Sequence, residues 1–282
     1  KQMNNHKSVK SGEKFMLKEK GFTLRTFSRV LAVALISSVV VGLPSANAGI
    51  ELQIHDPAAL IAAGLDPAVT SVRINQNINL STNLVINHDM SITRGDLFTS
   101  GVPMISGAGI EITSGAVVTM DYLGLSGAYA HADGNYGVML QDGSSLNATN
   151  ITMSMDYFAR NNTGYFVGTG SRLSLSNSSV TWGPNAVGSQ QYAVYSQTGA
   201  GPISLSLNTF KFNSTNTANN YSTCVATEGD TVGDYADLSL SGNTCDAYMK
   251  LTLLGQDSVA NKQAWAKQYV SATEGDNRIG LM

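Results

Sequence analysis

The chain has 282 residues, of which only 13% are charged, and its formal net charge is −3. The first 48 positions hold eight of the 17 basic and two of the 20 acidic residues, so that positions 49–282 carry nine basic and 18 acidic side chains. This excess of negative charge argues against nucleic-acid binding, which requires cations to neutralise phosphates. It also disfavours a groove for an acidic polysaccharide unless the few basic residues cluster. The low charge and the 28 Gly suit an exported β-rich protein better than a helical cytosolic one.

Residues 1–48 are predicted to be a signal peptide. Basic residues precede an apolar run from Val30 to Leu43, and Ala46-Asn47-Ala48 then gives the small-x-small pattern of a signal-peptidase site. The run is shorter than the roughly 20 residues that a membrane-spanning helix needs. We therefore expect a bacterial exported protein (periplasmic, extracellular or at the cell surface) with no transmembrane segment in its mature part.

The mature chain is predicted to begin with a short helix. The segment from His55 to Asp66 has Asp56 in the N-cap position and Pro57 in the first turn, which are the residues preferred there. The following segment, Ile74 to Thr93, alternates apolar and polar residues as short strands do.

A repeated alternation dominates the second half of the chain. The stretches LSLSNSSVTW, ISLSLNTFKF and LSLSGNTCDA begin at Leu173, Ile203 and Leu238. Alternation at period two predicts strands with one buried face, and the Asn, Ser and Gly between the two arms predict a turn. The aligned apolar columns are Leu173, Ile203 and Leu238; Leu175, Leu205 and Leu240; and Val180, Phe210 and Cys245.

The same unit extends towards the N-terminus. A Gly opens each copy, at positions 115, 143, 170, 199 and 229, so the intervals are 28, 27, 29 and 30 residues. A third apolar arm precedes each of the last four Gly residues. Three short arms and three turns per unit predict one coil of a stacked solenoid, because such units cannot bury a face alone.

In this rung pattern, roughly over residues 70–255, the chain resembles the right-handed parallel β-helix superfamily typified by pectate lyases. The resemblance implies an all-β, single-stranded right-handed parallel β-helix as one domain over 49–282, with the short N-terminal helix closing one end of the bore. The helical spacing of Val259, Trp265, Ala266 and Tyr269 predicts a C-terminal cap within 256–282. A resemblance of architecture says little about chemistry.

The two Cys residues, Cys224 and Cys245, are predicted to form a disulfide, because they are the only ones in an exported chain. The alternative is two inward-facing thiols, since Cys245 shares its column with Val180 and Phe210.

Catalytic motifs are missing from the sequence. The resemblance implies clustered Asp residues that hold calcium with an Arg base, or the N-T-D, D-D and G-H-G motifs of polygalacturonases, and none of these motifs is present. We predict no cofactor and no metal site. Asp121, Asp142 and Asp156 are the candidate acids, since two carboxylates can hydrolyse a glycoside, although Asp142 precedes a repeat Gly and is a turn residue first.

A tyrosine column is the candidate binding feature. Tyr136, Tyr165, Tyr192 and Tyr221 recur at intervals of 29, 27 and 29 residues. Stacked on successive coils, they would form a ladder with a spacing of about 4.8 Å. Such a strip offers apolar area with polar tips to sugar rings or to a protein; the alternative is that the rings only stabilise the coil.

These observations favour an exported non-catalytic β-helix, adhesin-like or a surface or matrix protein, that binds a polysaccharide or a surface protein along its flank. The alternative is a secreted polysaccharide lyase or glycoside hydrolase. That enzyme would need an acidic cluster from Asp121, Asp142 and Asp156, or a basic cluster from Arg160 and Arg172.

Overall fold

The computed structural model describes residues 49–131, 134–155, 162–183, 190–212, 222–247, 249–269 and 279–281, with the backbone alone for 129–131 and 279–281. The predicted signal peptide lies outside these residues. Within them, none of the helices combines the length and the apolar character needed to cross a membrane.

Three sheets of short strands form the body of the protein. Sheet 1 has eight strands, sheet 2 has seven and sheet 3 has nine. Sheet 1 consists of β1 (Ile50–Ile54), β2 (Val69–Ile74), β5 (Met90–Arg94), β8 (Val117–Asp121), β12 (Ser145–Thr149), β15 (Arg172–Ser176), β18 (Ile203–Ser206) and β21 (Leu238–Ser241). Sheet 2 consists of β3 (Ile78–Asn79), β6 (Met104–Ser106), β9 (Gly124–Ser126), β13 (Thr152–Met155), β16 (Ser179–Trp182), β19 (Thr209–Phe212) and β22 (Thr244–Cys245). Sheet 3 consists of β4 (Leu84–Ile86), β7 (Ile110–Ile112), β10 (Tyr129–His131), β11 (Gly134–Leu140), β14 (Asn162–Val167), β17 (Gln191–Ser196), β20 (Ser222–Glu228), β23 (Met249–Leu254) and β24 (Ile279–Leu281).

The chain visits the three sheets in a fixed order. One strand of sheet 1, one of sheet 2 and one of sheet 3 make a rung, and seven successive rungs run from β2–β4 to β21–β23. Strands that stack on each other pair in parallel; among the named strands described, β10 alone pairs antiparallel, with β11. The predicted fold class is confirmed: the protein is a parallel β-helix, consistent with the right-handed sense that parallel crossovers take.

The predicted apolar columns fill the bore. Leu173 pairs with Ile203 and Ile203 with Leu238, and the column of Leu175, Leu205 and Leu240 runs beside it in the same register. In sheet 2, Val180 pairs with Phe210 and Phe210 with Cys245. Because strands alternate, the Ser residues between these positions face outward.

Left-handed residues turn the chain from sheet 1 to sheet 2. The column at this corner has φ between 46° and 62°, and it consists of Tyr122, Asn150, Asn177, Leu207 and Gly242. The side-chain amides of its Asn residues form hydrogen bonds that run along the helix axis. Nδ2 of Asn150 donates to Oδ1 of Asp121 at 2.9 Å, and Nδ2 of Asn177 donates to Oδ1 of Asn150 at 2.5 Å. At the corner from sheet 3 to sheet 1, four of the five repeat glycines have φ between 71° and 74°, namely Gly115, Gly143, Gly170 and Gly199.

Two α-helices lie near the ends of the described chain. The first, α1 (Pro57–Leu65), begins after Asp56, whose carboxylate accepts from the amide of Ala59 at 2.8 Å, as predicted. The second, α2 (Val259–Ala266), begins after Ser258 and packs Trp265 against Tyr235, with 5.1 Å between ring centroids. Val259, which the helical spacing placed with Trp265, is 59% exposed instead. A 3-10 helix, Val232–Asp234, precedes β21.

Strand pairing extends beyond the predicted rungs at both ends. Strand β1 pairs with β2 before the first full rung, and β24 pairs with β23 after α2. Helix α1 packs on these first strands through Leu60, which is fully buried.

The predicted disulfide between Cys224 and Cys245 is present. Cys224 is buried, and Cys245 continues the interior column of Phe210. The alternative of two free thiols is therefore wrong, although Cys245 does lie in the interior column on which that alternative was based.

Candidate functional site

The outer face of sheet 3 carries a groove of about 800 Å³. Its walls come from β11, β14 and β17 and from the turns that follow these strands. Each of the three strands is paired on both sides, so the floor of the groove is continuous sheet.

Strand register arranges the lining side chains in three columns. The central column is Met139, Phe166 and Tyr195. A second column, on one side, is Tyr136, Thr163 and Tyr192. The third column lies on the other side, directly after the ends of the strands, and consists of Gln141, Gly168 and Gln197. Their backbone N–H groups continue the parallel pairing by donating to the carbonyl oxygens of Ile112, Leu140 and Val167. The groove thus repeats an apolar centre between two polar borders on three successive rungs.

Aromatic rings form the centre of the groove. Phe166 and Tyr195 stack with 5.6 Å between their centroids and 16° between their planes. Tyr136 lies 4.9 Å from Phe166, and Tyr192 lies 5.3 Å from Tyr195, both with tilted rings. Tyr136 and Tyr192 are buried, whereas Phe166 and Tyr195 are half-buried and present ring surface to the groove.

Gly168 keeps space open beside the Phe166 ring. A Cβ atom at this position would lie 2.8 Å from the carbonyl oxygen of Leu140 and 3.6 Å from Cε1 of Phe166. Its neighbours in the column, Gln141 and Gln197, supply amides that donate and accept hydrogen bonds. The border therefore has a gap one rung wide between two amides.

Glu228 borders the groove one rung beyond Gln197. The hydroxyl of Tyr195 donates to Oε2 of Glu228 at 2.6 Å. Burial, this hydrogen bond and the negative charge of Glu228 together raise the pKa of Tyr195 well above its usual range. Burial first, and then the charge of Glu228, raises the pKa of Tyr192 to about 12. Both hydroxyls therefore stay protonated at neutral pH.

The predicted tyrosine ladder is wrong in its register. Tyr136 pairs with Thr163, which pairs with Tyr192, so two tyrosines of the column lie two rungs apart. Tyr165 pairs with Val138 and Val194 and lies in the bore, where it is fully buried. Tyr221 lies outside the described residues.

Sequence reasoning missed Phe166 and Tyr195, although a signal for them was available. Both residues, like Met139, lie four positions before a repeat glycine. The turn glycines fix the register of the preceding strands, whereas the first Tyr of each arm does not.

The candidate acids do not meet. Asp121 ends β8 at the corner between sheets 1 and 2, where it accepts from Asn150. Asp142 lies at the opposite corner with φ of 54°, and accepts from Oγ1 of Thr113 at 2.5 Å. At about 3.3 Å per residue, the five-residue strands β8 and β12 of sheet 1 separate these corners by about 15 Å. A glycosidase pair needs a separation of about 5 to 10 Å. Asp156 lies outside the described residues.

Within the described part of the chain, no group of three or more His, Cys, Asp and Glu residues is arranged to hold a metal ion. Comparison with protein-family models, with curated proteins and with solved structures finds no match for the chain. We therefore infer a function from the chemistry of the groove.

Proposed function

We propose that this chain is an exported, non-catalytic binding protein, adhesin-like or part of a surface matrix, and that its sheet 3 groove holds a glycan chain. The observation that carries the proposal is the stacked pair Phe166 and Tyr195 between two polar columns. Aromatic rings pack against the apolar faces of sugar rings, and the bordering amides and hydroxyls match sugar hydroxyls.

The rung repeat supports a ligand that is itself a repeating chain. Equivalent side chains recur along the axis every 4.8 Å or so, which is close to the length of one sugar unit in an extended glycan. A glycan lying parallel to the axis would meet the same apolar and polar columns at successive units. Specificity would come from the interruptions of the columns, such as Gly168.

A protein partner is the less favoured occupant of this groove. An extended peptide commonly binds by adding a strand to an open sheet edge. Strands β11, β14 and β17 have both edges paired, so they offer no backbone donors or acceptors to a further strand.

A glycan array followed by calorimetric titration tests the proposal. Phe166→Ala and Tyr195→Ala are expected to weaken binding by tenfold or more, if a sugar ring gains as much from an aromatic ring as a stacked nucleic-acid base does, about 1–3 kcal/mol. Tyr122→Ala is the matched control, since Tyr122 is a 50% exposed ring at a different corner. Equal loss in all three variants, or binding of no glycan by the wild type, would contradict the proposal.

The second candidate, a polysaccharide-active enzyme, has one observation in its favour. Tyr195 and Glu228 form a short donor–acceptor pair at the groove, and a Tyr beside a carboxylate serves as nucleophile in some glycosidases. The raised pKa of Tyr195 opposes its ionisation and disfavours that role. Assays for new reducing ends and for unsaturated sugars distinguish the two candidates, with Glu228→Gln as the inactive control. If the wild type turns over a polysaccharide and this variant does not, the protein is an enzyme and the proposal of a non-catalytic binding protein is wrong.

A further inference from the structure

The charges around the groove narrow the class of glycan. Asp142 is the one charged residue among the described residues that line it, and Glu228 adds a second carboxylate through its bond to Tyr195. Lys and Arg do not occur in this lining set. A carboxylate ligand would therefore meet like charges and no counter-charge within the described groove, which costs binding energy.

The two carboxylates stand at opposite ends of the groove. Gln141, next to Asp142, begins the border column, and Glu228 lies one rung beyond Gln197, where the column ends. Three rungs separate Gln141 from Glu228, which corresponds to about 14 Å along the axis. A glycan that runs along the aromatic column would have a carboxylate near each end of its bound segment.

Glu228 has a fixed orientation and spare acceptor capacity. Tyr195 holds Oε2, and an ionised carboxylate has about four acceptor sites in total. The remaining sites can accept hydrogen bonds from a ligand. An ammonium group makes the stronger, charge-assisted bond with such a carboxylate, and the adjacent rings of Tyr195 and Phe166 attract cations through their faces.

We infer that the groove binds a glycan containing unmodified amino sugars, and that Glu228 recognises a protonated amine of that glycan. This inference rests on the proposed function, because it assumes that a glycan occupies the groove. It adds the charge of the ligand and the residue that selects it.

Three oligosaccharides of equal length test the inference: one of glucosamine, its N-acetylated form and one of galacturonate. Titrations of the purified protein are made at mildly acidic pH, where the amine of the glucosamine oligomer is protonated. We expect the glucosamine oligomer to bind about tenfold tighter than the N-acetylated one, with an affinity that falls as salt is added. The galacturonate oligomer is expected to bind least.

Glu228→Gln is the decisive variant, because the amide can still accept from Tyr195 but carries no charge. It should lower the affinity for the glucosamine oligomer to that of the N-acetylated form and leave the latter unchanged. Glu51→Gln is the matched control, since it removes one negative charge at an ion pair with Arg73, in sheet 1. It should change neither affinity.

The outcomes separate this inference from the proposed function. Equal affinity for the glucosamine and N-acetylated oligomers, unaffected by Glu228→Gln, overturns the inference and leaves glycan binding in place. Tighter binding of the galacturonate oligomer also overturns it. Binding of no saccharide by the wild-type protein overturns the proposed function, and the inference with it.

Discussion

Cys224 and Cys245 join two neighbouring rungs from inside the bore, with 6.2 Å between their Cα atoms. Cys224 belongs to β20 and Cys245 to β22 of the next rung. The equivalent positions one and two rungs earlier hold Ala193 with Phe210 and Gly164 with Val180. A covalent bond therefore takes the place that a small residue packed against a large one fills elsewhere in the helix.

Replacing both Cys224 and Cys245 by Ala is expected to lower the free energy of unfolding by about 3 kcal/mol. The disulfide closes a loop across 21 residues, and such a loop restricts the unfolded chain by about that amount. Denaturant titration of the variant and of the wild type under oxidising conditions measures the difference.

Reduced wild-type protein is the control for this comparison, because it lacks the bond but keeps both sulfur atoms. It should unfold close to the double variant, and a reductant should leave the variant itself unaffected. Coincident unfolding curves for the variant and the oxidised wild type would contradict a stabilising role.

Leu207→Asn is expected to stabilise the protein by about 0.5–1 kcal/mol. Leu207 has φ of 57° and is 66% exposed, so it is strained without the benefit of burial. A side chain with Cβ is disfavoured in this region, whereas Asn tolerates it. Asn150 and Asn177 already occupy the equivalent positions of earlier rungs. Thermal or chemical unfolding measures the gain.

Two further variants isolate the cause of this effect. Leu207→Gly should also stabilise, because it removes the Cβ clash. Leu207→Ala keeps the Cβ atom and should bring little change. A gain in Leu207→Ala equal to that in Leu207→Asn would mean that removal of an exposed apolar side chain, rather than relief of strain, is responsible.

Much of the fold could be predicted because most strands of sheets 1 and 2 alternate buried and more exposed residues, as β12, β15 and β16 do. Leu175 and Leu205 lie on the bore side with a polar residue before and after each, so period two places them without error. The start of α1 could also be predicted, because it depends only on neighbouring residues: Asp56 and Pro57 determine where the helix begins.

Sheet 3 could not be predicted in the same way because its strands place two consecutive residues inward. A Cβ atom on Gly164 would lie 3.1 Å from Val180 in the bore, and the next residue, Tyr165, is also fully buried. This irregularity breaks the alternation that a sequence pattern relies on. Because of it, Tyr165 lies in the core instead of in the predicted outer column, and the outward positions of Phe166 and Tyr195 were not predicted.

Tyr165→Phe is expected to raise the free energy of unfolding by about 1 kcal/mol at neutral pH. The Tyr165 hydroxyl is buried and has no hydrogen-bond partner among the described residues, and an unsatisfied buried hydroxyl costs about 1–3 kcal/mol. Phe fills the same space without this group. Denaturant titration at neutral pH measures the change.

The pH dependence of stability gives a second test of the same side chain. Burial raises the pKa of Tyr165 above its ordinary value of about 10. Above that pH the unfolded chain releases the proton while the folded chain retains it, so stability is complete below about pH 10 and falls as the pH rises further. Tyr165→Phe should make this alkaline loss shallower.

Tyr195→Phe is the control for this comparison. It should also make the alkaline loss shallower, but it should lower the free energy of unfolding by about 1 kcal/mol at neutral pH, because it breaks the hydrogen bond to Glu228. A Tyr165→Phe variant that is less stable than the wild type at neutral pH would show that the hydroxyl is satisfied.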